Sequence, residues 1–123
     1  FESFGEFDKR KKLIPKLIEN YKKNLQTKVI SKKLELNIVH VNDIVKAVNI
    51  LLKRNIKSGD YCLKHSKNIK INNLISKINN KSNKKIKIKF LNKKTEKPFI
   101  SKIHVLPGWK ADKYLQKKIE DKF

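Results

Sequence analysis

The sequence is poor in the residues that build disulfides, zinc sites and phosphate-binding loops. Its 123 residues include one cysteine, Cys62, and only three glycines and three prolines. A single cysteine excludes an internal disulfide and any multi-cysteine zinc site, and it fits a reducing compartment. The glycines are too far apart for a G-x-G-x-x-G or G-x-x-x-x-G-K loop, and the three histidines lack a second ligand at metal-site spacing.

Long apolar runs are also missing from the chain. No stretch approaches the roughly 18 apolar residues that a membrane-spanning helix needs. The first residues, FESFGEF, are acidic and lack the hydrophobic region of a signal peptide. We therefore expect a cytoplasmic protein with no membrane partner. The length corresponds to one domain, residues 1–123, or to part of one.

Arginine is scarce although the formal net charge is +21. Of the 32 basic residues only Arg10 and Arg54 are arginines, the residue type that suits bidentate contacts to phosphate and guanine. The lysines are spread from end to end, which favours a solvated lysine-rich surface over a nucleic-acid interface. A small basic nucleic-acid-binding protein is therefore kept as the alternative function.

Hydrophobic periodicity predicts short strands alternating with amphipathic helices. Period-2 or compact apolar runs predict strands over residues 1–4, 27–30, 34–41, 60–64 and 84–90. Helical spacing predicts helices over residues 12–23, 43–54 and 71–78, and a last helix that starts at Asp112. The order β-α-β-β-α-β-α-β-α places the chain in the α/β class.

The stretch NIVHVNDIVKAV, residues 37–48, places a histidine and an aspartate where a strand gives way to a helix. His40 is interpreted as a strand residue that makes a cross-sheet or interface contact, and Asp43 as the N-cap of the following helix. A catalytic His/Asp pair is the less favoured interpretation. Tyr114 and Lys118 match Y-x-x-x-K, but in a chain so rich in lysine a chance match to this spacing is as frequent as its absence, so the match has little weight.

Four segments, taken in order, resemble blocks of the extended short-chain dehydrogenases, the NAD(P)-dependent nucleotide-sugar epimerase/dehydratase family. FGEFDKRKKLIPKLI resembles the family's Y-G-P…R-L-I-P, and NIVHVNDIVKAVNILL resembles D-F-V-H-V-D-D-V-A-x-A. GDYCL followed by INNLI resembles G-x-Y-N-I…S-V-x-E-L-V. SKI followed by LPGWK resembles S-K-I…L-G-W-K-P. Together the blocks span nearly all 123 residues.

The resemblance implies the C-terminal, substrate-binding portion of such an enzyme, a small α/β lobe whose Rossmann half is absent from the sequence. That half would supply the nucleotide loop, the catalytic Y-x-x-x-K and the NAD or NADP, in the same chain or a separate one. The implied function is to hold the nucleoside diphosphate of a nucleotide-sugar substrate in an epimerase, dehydratase or reductase of carbohydrate metabolism. The chain alone is expected to hold no cofactor, to contain no catalytic residue and to be inactive.

The resemblance also assigns substrate-binding residues one position at a time. The family's segment that lines the nucleotide and pyrophosphate falls on Lys12, Leu13, Ile14 and Pro15. Its base-contacting residue falls on Val29. A second phosphate arginine falls loosely on Lys94 or its neighbour Lys93. Two positions depart from the family. The first phosphate arginine is replaced by Leu36, unless Lys32 or Lys33 substitutes for it, and an asparagine near the substrate is replaced by Glu2.

Overall fold

The structure, a computed structural model, describes residues 2–6, 8–94 and 103–123. These residues form six short strands and four helices. The elements are β1 (Glu2–Phe4), α1 (Leu13–Lys22), β2 (Thr27–Val29), β3 (Glu35–Leu36), β4 (Ile38–His40), α2 (Val41–Lys53), β5 (Ile69–Lys70), α3 (Ile71–Lys81), β6 (Ile88–Phe90) and α4 (Leu115–Glu120). The predicted α/β class is confirmed, and within the described ranges no helix is long and apolar enough to cross a membrane.

The strands associate in three pairs instead of one continuous sheet. β1 lies parallel to β4 with Phe4 opposite His40, and β2 lies parallel to β6 with Val29 opposite Phe90. β3 and β5 form a two-residue antiparallel pair. Parallel strands need a long crossover connection, and the β1–β4 and β2–β6 pairs are each joined through helices.

The main core lies between α1, α3 and α4. The apolar positions of these helices recur at helical spacing, so each helix directs one stripe inward. The fully buried members include Ile14, Leu17, Ile71, Leu74, Leu115 and Ile119. A second, smaller cluster joins β4 and α2 to the loop before α4 and contains Val39, Ala47, Leu106 and Trp109. The two clusters cover opposite sides of β4.

The predicted strand over residues 34–41 is divided into β3 and β4 at Asn37. The Asn37 amide donates from Nδ2 to the His65 backbone oxygen at 2.9 Å, and its Oδ1 accepts from the His65 backbone N–H at 2.9 Å. These bonds tie the point of division to the segment before β5, and on its two sides β3 pairs with β5 and β4 with β1. The strand predicted over residues 60–64 is reduced to a single parallel bridge between Cys62 and Val105.

The loop before α4 turns sharply at Gly108, which has a φ of +75°. A side chain is strained in this conformation, whereas glycine adopts it freely. The turn is closed by a hydrogen bond from the Trp109 backbone N–H to the Leu106 oxygen at 3.1 Å. It thereby directs both Leu106 and Trp109 into the second cluster.

Candidate substrate-binding site

The amino end of α1 is a basic helix terminus without a side-chain cap. Lys12 is the N-cap, its side chain makes no capping hydrogen bond, and no acidic residue lies in the first turn. The first N–H groups of any helix lack intrahelical acceptors and carry the positive end of its dipole. The run Lys9 to Lys12 adds side-chain charge to this end. The terminus is therefore suited to an anion such as a phosphate.

The six predicted substrate-binding residues are not equivalent in the structure. Ile14 and Val29 are only 2% and 1% exposed, so their side chains belong to the core and only their backbone can face a ligand. Leu13 is partly buried and packs against that core. Lys12 and Pro15 are partly exposed, whereas Lys94 is exposed. Lys12 and Lys94 thus have the accessible charged groups of the set.

Val29 and Lys94 lie at the same edge of the β2–β6 pair. The Val29 oxygen accepts from the Leu91 N–H at 2.9 Å, and the Ile30 oxygen accepts from the Lys93 N–H at 3.1 Å. Both bonds continue the pairing past the carboxyl ends of the two parallel strands. Such carboxyl ends are where ligands bind in open α/β sheets. Two exposed apolar side chains, Ile30 and Leu91, lie there as well.

Arg10 is engaged by the protein itself. Its Nε donates to Asp8 Oδ1 at 2.7 Å, and its guanidinium also donates to the hydroxyl and the backbone oxygen of Ser3, each at 3.0 Å. The bond from Arg10 holds the pKa of the Asp8 carboxyl below its usual value. The bonds to Ser3 attach the loop after β1 to that strand. Arg10 is therefore a residue that holds this loop in place.

A cleft of about 940 Å³ lies along α1 beside this loop. Its walls include Lys9, Lys11, Pro15, Lys16, Lys22 and, from the end of the chain, Lys122. At the rim, Lys122 Nζ donates to Glu6 Oε1 at 2.8 Å. The hydrogen bond and the charge of Lys122 lower the pKa of Glu6. Of the predicted substrate-binding residues only Pro15 lines this cleft, although Lys11 and Lys16 on either side of the segment also line it.

His40, and not Asp43, caps α2, which corrects the interpretation from sequence. The helix begins at Val41, and His40 Nδ1 accepts from the Asn42 backbone N–H at 3.2 Å. The imidazole is buried and meets the Phe4 ring edge-on, with 6.0 Å between centroids. Burial, followed by repulsion from Lys118, lowers the pKa of His40. The predicted cross-strand contact is present because Phe4 is its partner in β1.

Asp43 lies in the first turn of α2 and binds the loop that precedes α4. It is 1% exposed, and its Oδ2 accepts from the Asp112 backbone N–H at 2.8 Å. Its backbone oxygen accepts from Trp109 Nε1 at 2.6 Å. Lys46 Nζ, on the surface, donates to its Oδ1 at 2.9 Å. These contacts lock two distant segments together, and they leave no carboxylate oxygen facing a substrate.

The other candidate groups also have structural roles. Cys62 is buried, as expected, and its thiol donates to the Ile103 oxygen at 3.1 Å. Lys118 Nζ lies 2.5 Å from Asp112 Oδ2, while Tyr114 is 57% exposed at the start of α4. Within residues 2–6, 8–94 and 103–123, no group of three or more His, Cys, Asp or Glu side chains could hold a metal ion. Ser101 and Lys102 of the SKI block lie outside the described residues.

Sequence reasoning missed the Ser3–Asp8–Arg10 cluster and the pairing of Glu6 with Lys122. The cluster had a local signal in the sequence, because the run DKRKK places Asp8 two positions before Arg10, one of only two arginines. The second had none, since its partners lie 116 positions apart. Among the family departures, Leu36 is partly buried against the core and cannot replace a phosphate arginine. Lys32 lies over the Phe90 ring at 5.7 Å from its centroid, close to the β2–β6 edge.

Neither a family model nor a curated protein matches the sequence. Solved structures do match the fold. MoeE5, in complex with UDP-glucuronic acid and NAD, aligns with 97% of this chain at a TM-score of 0.78 and 14% identity. RMD from Pseudomonas aeruginosa, complexed with NADPH, aligns with 99% at a TM-score of 0.72 and 16% identity.

A third match is a UDP-N-acetylglucosamine 4-epimerase from Methanobrevibacter ruminantium M1 in complex with UDP-N-acetylmuramic acid, with 99% coverage of this chain, a TM-score of 0.65 and 20% identity. The chain spans only 42–44% of the length of these three proteins. These matches confirm the fold predicted from sequence, which is that of the C-terminal portion of extended Rossmann-type proteins.

Proposed function

We propose that this chain is the substrate-binding portion of an NAD(P)-dependent nucleotide-sugar epimerase, dehydratase or reductase, and that it holds the nucleoside diphosphate. The observation that carries the proposal is the match of 97–99% of the chain to part of proteins solved with UDP-sugars, NAD or NADPH. The four sequence blocks support the same family independently of the fold.

The amino end of α1 is the proposed diphosphate site. Lys12 supplies a cation there, and the backbone N–H groups of Leu13 and Ile14 supply donors that the helix leaves without acceptors. Pro15 has no N–H group and fits the first turn of the helix without losing a bond. The burial of Ile14 supports this assignment, because a buried side chain fixes the direction of its own backbone donor.

The nucleoside base is proposed to lie at the carboxyl edge of β2 and β6. The backbone of Val29, the exposed Ile30 and the amine of Lys94 are available there. α1 packs against β2, which follows it after a short connection. Such a helix and strand run antiparallel, so the carboxyl edge of β2 lies toward the amino end of α1. The two parts of the site are thus proposed to be neighbours.

Hydride transfer is assigned to the Rossmann half, which would hold NAD or NADP. The sequence lacks the glycine loop that cradles a dinucleotide, and its one Y-x-x-x-K match is accounted for by a surface tyrosine and an ion-paired lysine. The chain alone is therefore expected to show no NAD(P)H turnover with any nucleotide sugar. Measurable turnover by the purified 123-residue chain would contradict this assignment.

Calorimetric titration of the chain with UMP and UDP tests the site directly. UDP should bind more tightly than UMP, because the second phosphate adds charge at the helix terminus. Lys12→Ala should weaken UDP binding by roughly 1–2 kcal/mol, or about tenfold. Lys57→Ala, which removes an exposed lysine elsewhere, is the charge-matched control and should leave the affinity unchanged. Equal losses in both variants would show that general charge, and not this site, attracts UDP.

An oligonucleotide titration separates this function from nucleic-acid binding. Nucleic-acid binding depends on the release of counterions, so its affinity falls steeply as salt rises. We expect weak binding, the same for any sequence and lost at physiological salt. Sub-micromolar affinity with a steep salt slope, together with no discrimination between UDP and UMP, would favour the alternative function.

A further inference from the structure

One face of the β2–β6 pair carries three lysines that point to solvent. Lys28 lies directly opposite Lys89 in the register of the two strands, and Lys87 precedes Lys89 on the same face by strand alternation. These three residues, which we call the lysine face, are all exposed. The other face of β2 holds Thr27 and Val29, each 1% exposed. The strand pair therefore has a buried face and a charged, open one.

The protein does not neutralise the lysine face. Among the residues that the structure describes, no ion pair involves Lys28, Lys87 or Lys89. Lysines elsewhere do have acidic partners, such as Glu120 for Lys81 at 2.6 Å. Like charges directly opposite each other destabilise a sheet. An anion near this face would relieve the repulsion, so the face is complementary to a negatively charged ligand.

The segments that build this strand pair are almost free of acidic residues. None occurs between Glu19 and Glu35. Between Asp60 and Asp112 the sequence contains only Glu96, which lies outside the described residues. The positive charge is therefore concentrated around β2 and β6 beyond the general excess of lysine in the chain.

The lysine face ends beside the proposed base site. Lys28 and Lys89 immediately precede Val29 and Phe90, the residues at which the strand pair ends. A strand rises about 3.3 Å per residue, so the Cα of Lys87 lies roughly 10 Å from that end. This distance is close to the Debye length at an ionic strength of about 0.1 M. The charge of the face can thus act on an anion at the site without touching it.

We propose that the lysine face attracts the anionic substrate to the site at the carboxyl edge of β2 and β6, and that it does so without contacting the bound ligand. The inference deepens the proposed function and rests on it, because it requires a nucleoside diphosphate at this edge. Surfaces of one sign of charge raise the local concentration of an oppositely charged ligand and its association rate by about tenfold or more. The strength of this recognition depends on the charge of the substrate and not on its base or sugar.

The test compares two charge-matched variants of the 123-residue chain. The face variant replaces all three lysines of the lysine face by glutamine. The control variant removes the same charge from α2 and the loops beside the second cluster and consists of Lys53→Gln, Lys57→Gln and Lys110→Gln. All six positions are exposed, so both variants should melt within a few degrees of the wild type.

NMR titration with UDP at an ionic strength of about 0.1 M gives the dissociation constant, and the line shapes of the same spectra give the dissociation rate. The face variant should raise the dissociation constant roughly three- to tenfold, because three charges near the ligand are lost. Its dissociation rate should be unchanged, since the attraction acts on the approach of the ligand. The control variant should change the dissociation constant by less than about twofold, because its lysines lie beyond the screening distance.

Salt and ligand charge separate long-range attraction from direct contact. At about 1 M salt the Debye length is only about 3 Å, so the face variant and the wild type should bind UDP equally. Lys12→Ala should still weaken UDP binding at this salt concentration, because Lys12 is proposed to contact the diphosphate. The face variant should weaken the binding of UMP less than that of UDP and leave the binding of uncharged uridine unaltered.

Equal dissociation constants for the face variant and the wild type at low salt, or an equal loss in the control variant, would overturn the proposal. The lysines would then serve only to keep the strand pair from associating with other strands. A loss that persists at high salt or extends to uridine would also overturn it, because the lysines would then contact the ligand. UDP binding without any effect of the face refutes this inference alone, whereas absent UDP binding in the wild type refutes the proposed function as well.

Discussion

Replacing Asp43 should destabilise the fold far more than replacing other acidic residues. Asp43→Ala leaves the Asp112 N–H without its acceptor, and an unsatisfied buried donor costs about 1–3 kcal/mol. Loss of a negative charge from the first turn of α2 costs about 0.3–1 kcal/mol more. The ion pair with Lys46 contributes less than about 0.5 kcal/mol, because the lysine side chain is 63% exposed. Together these contributions amount to roughly 1–4.5 kcal/mol.

Urea unfolding at neutral pH measures this loss, with the free energy taken by linear extrapolation. Asp43→Asn keeps an oxygen for the Asp112 N–H and should lose only about 1 kcal/mol, through the missing charge. Asp60→Ala, at an exposed site, is the control and should change stability by less than about 0.5 kcal/mol. The reasoning is refuted if Asp43→Ala unfolds at the same urea concentration as Asp60→Ala.

Three further perturbations have defined outcomes. Leu74→Ala should cost about 2–5 kcal/mol, because Leu74 is 0% exposed, whereas Leu52→Ala, at 78% exposed, should cost less than about 0.5 kcal/mol in the same urea assay. Trp109→Phe should cost about 1 kcal/mol by removing the indole N–H that bonds to the Asp43 oxygen, and an unchanged unfolding midpoint would contradict that bond. The pKa of His40 in the folded protein is lowered from 6.5, so as the pH falls the unfolded chain binds the proton first, and stability should fall as the pH drops below 6.5. His40→Asn keeps a capping acceptor but does not titrate. Its melting temperature should therefore fall less than that of the wild type as the pH drops below 6.5.

Much of the fold was predictable because its signals are local. Leu17 and Tyr21 on α1, and Leu74 and Ile78 on α3, repeat at the period of a helix, and a chain of this size can bury such stripes only against each other. The strand signal of β6 was equally local, since alternating isoleucine and lysine distinguishes a covered face from a wet one. The four family blocks also depend only on residue order. They indicated the fold that the solved structures confirm.

The errors arose where a distant partner decides a local structure. Asp43 was predicted to be a cap because an aspartate before an apolar helix usually is one. The helix begins two residues earlier because His40 takes that role, and this leaves Asp43 to bind the Asp112 N–H 69 positions away. The strand predicted over residues 34–41 is divided at Asn37, whose amide bonds the His65 backbone, and its two parts pair with different distant strands.

The candidate site shows the same division. Lys12 to Pro15 could be assigned from sequence because they form one contiguous segment that resembles a family block. Lys94 could be assigned only loosely, because the segment around it aligns poorly with the family. The sequence did not predict which of these side chains are exposed to solvent. Val29, for example, is buried because β2 pairs with β6, and its partner Phe90 lies 61 positions away. The sequence by itself determined the helices, the family blocks and the missing cofactor loop, since each depends on neighbours in the chain. The tertiary structure alone decided which apolar side chains of α2 stay exposed and which groups Asp43 contacts, because both depend on which residues the rest of the chain covers.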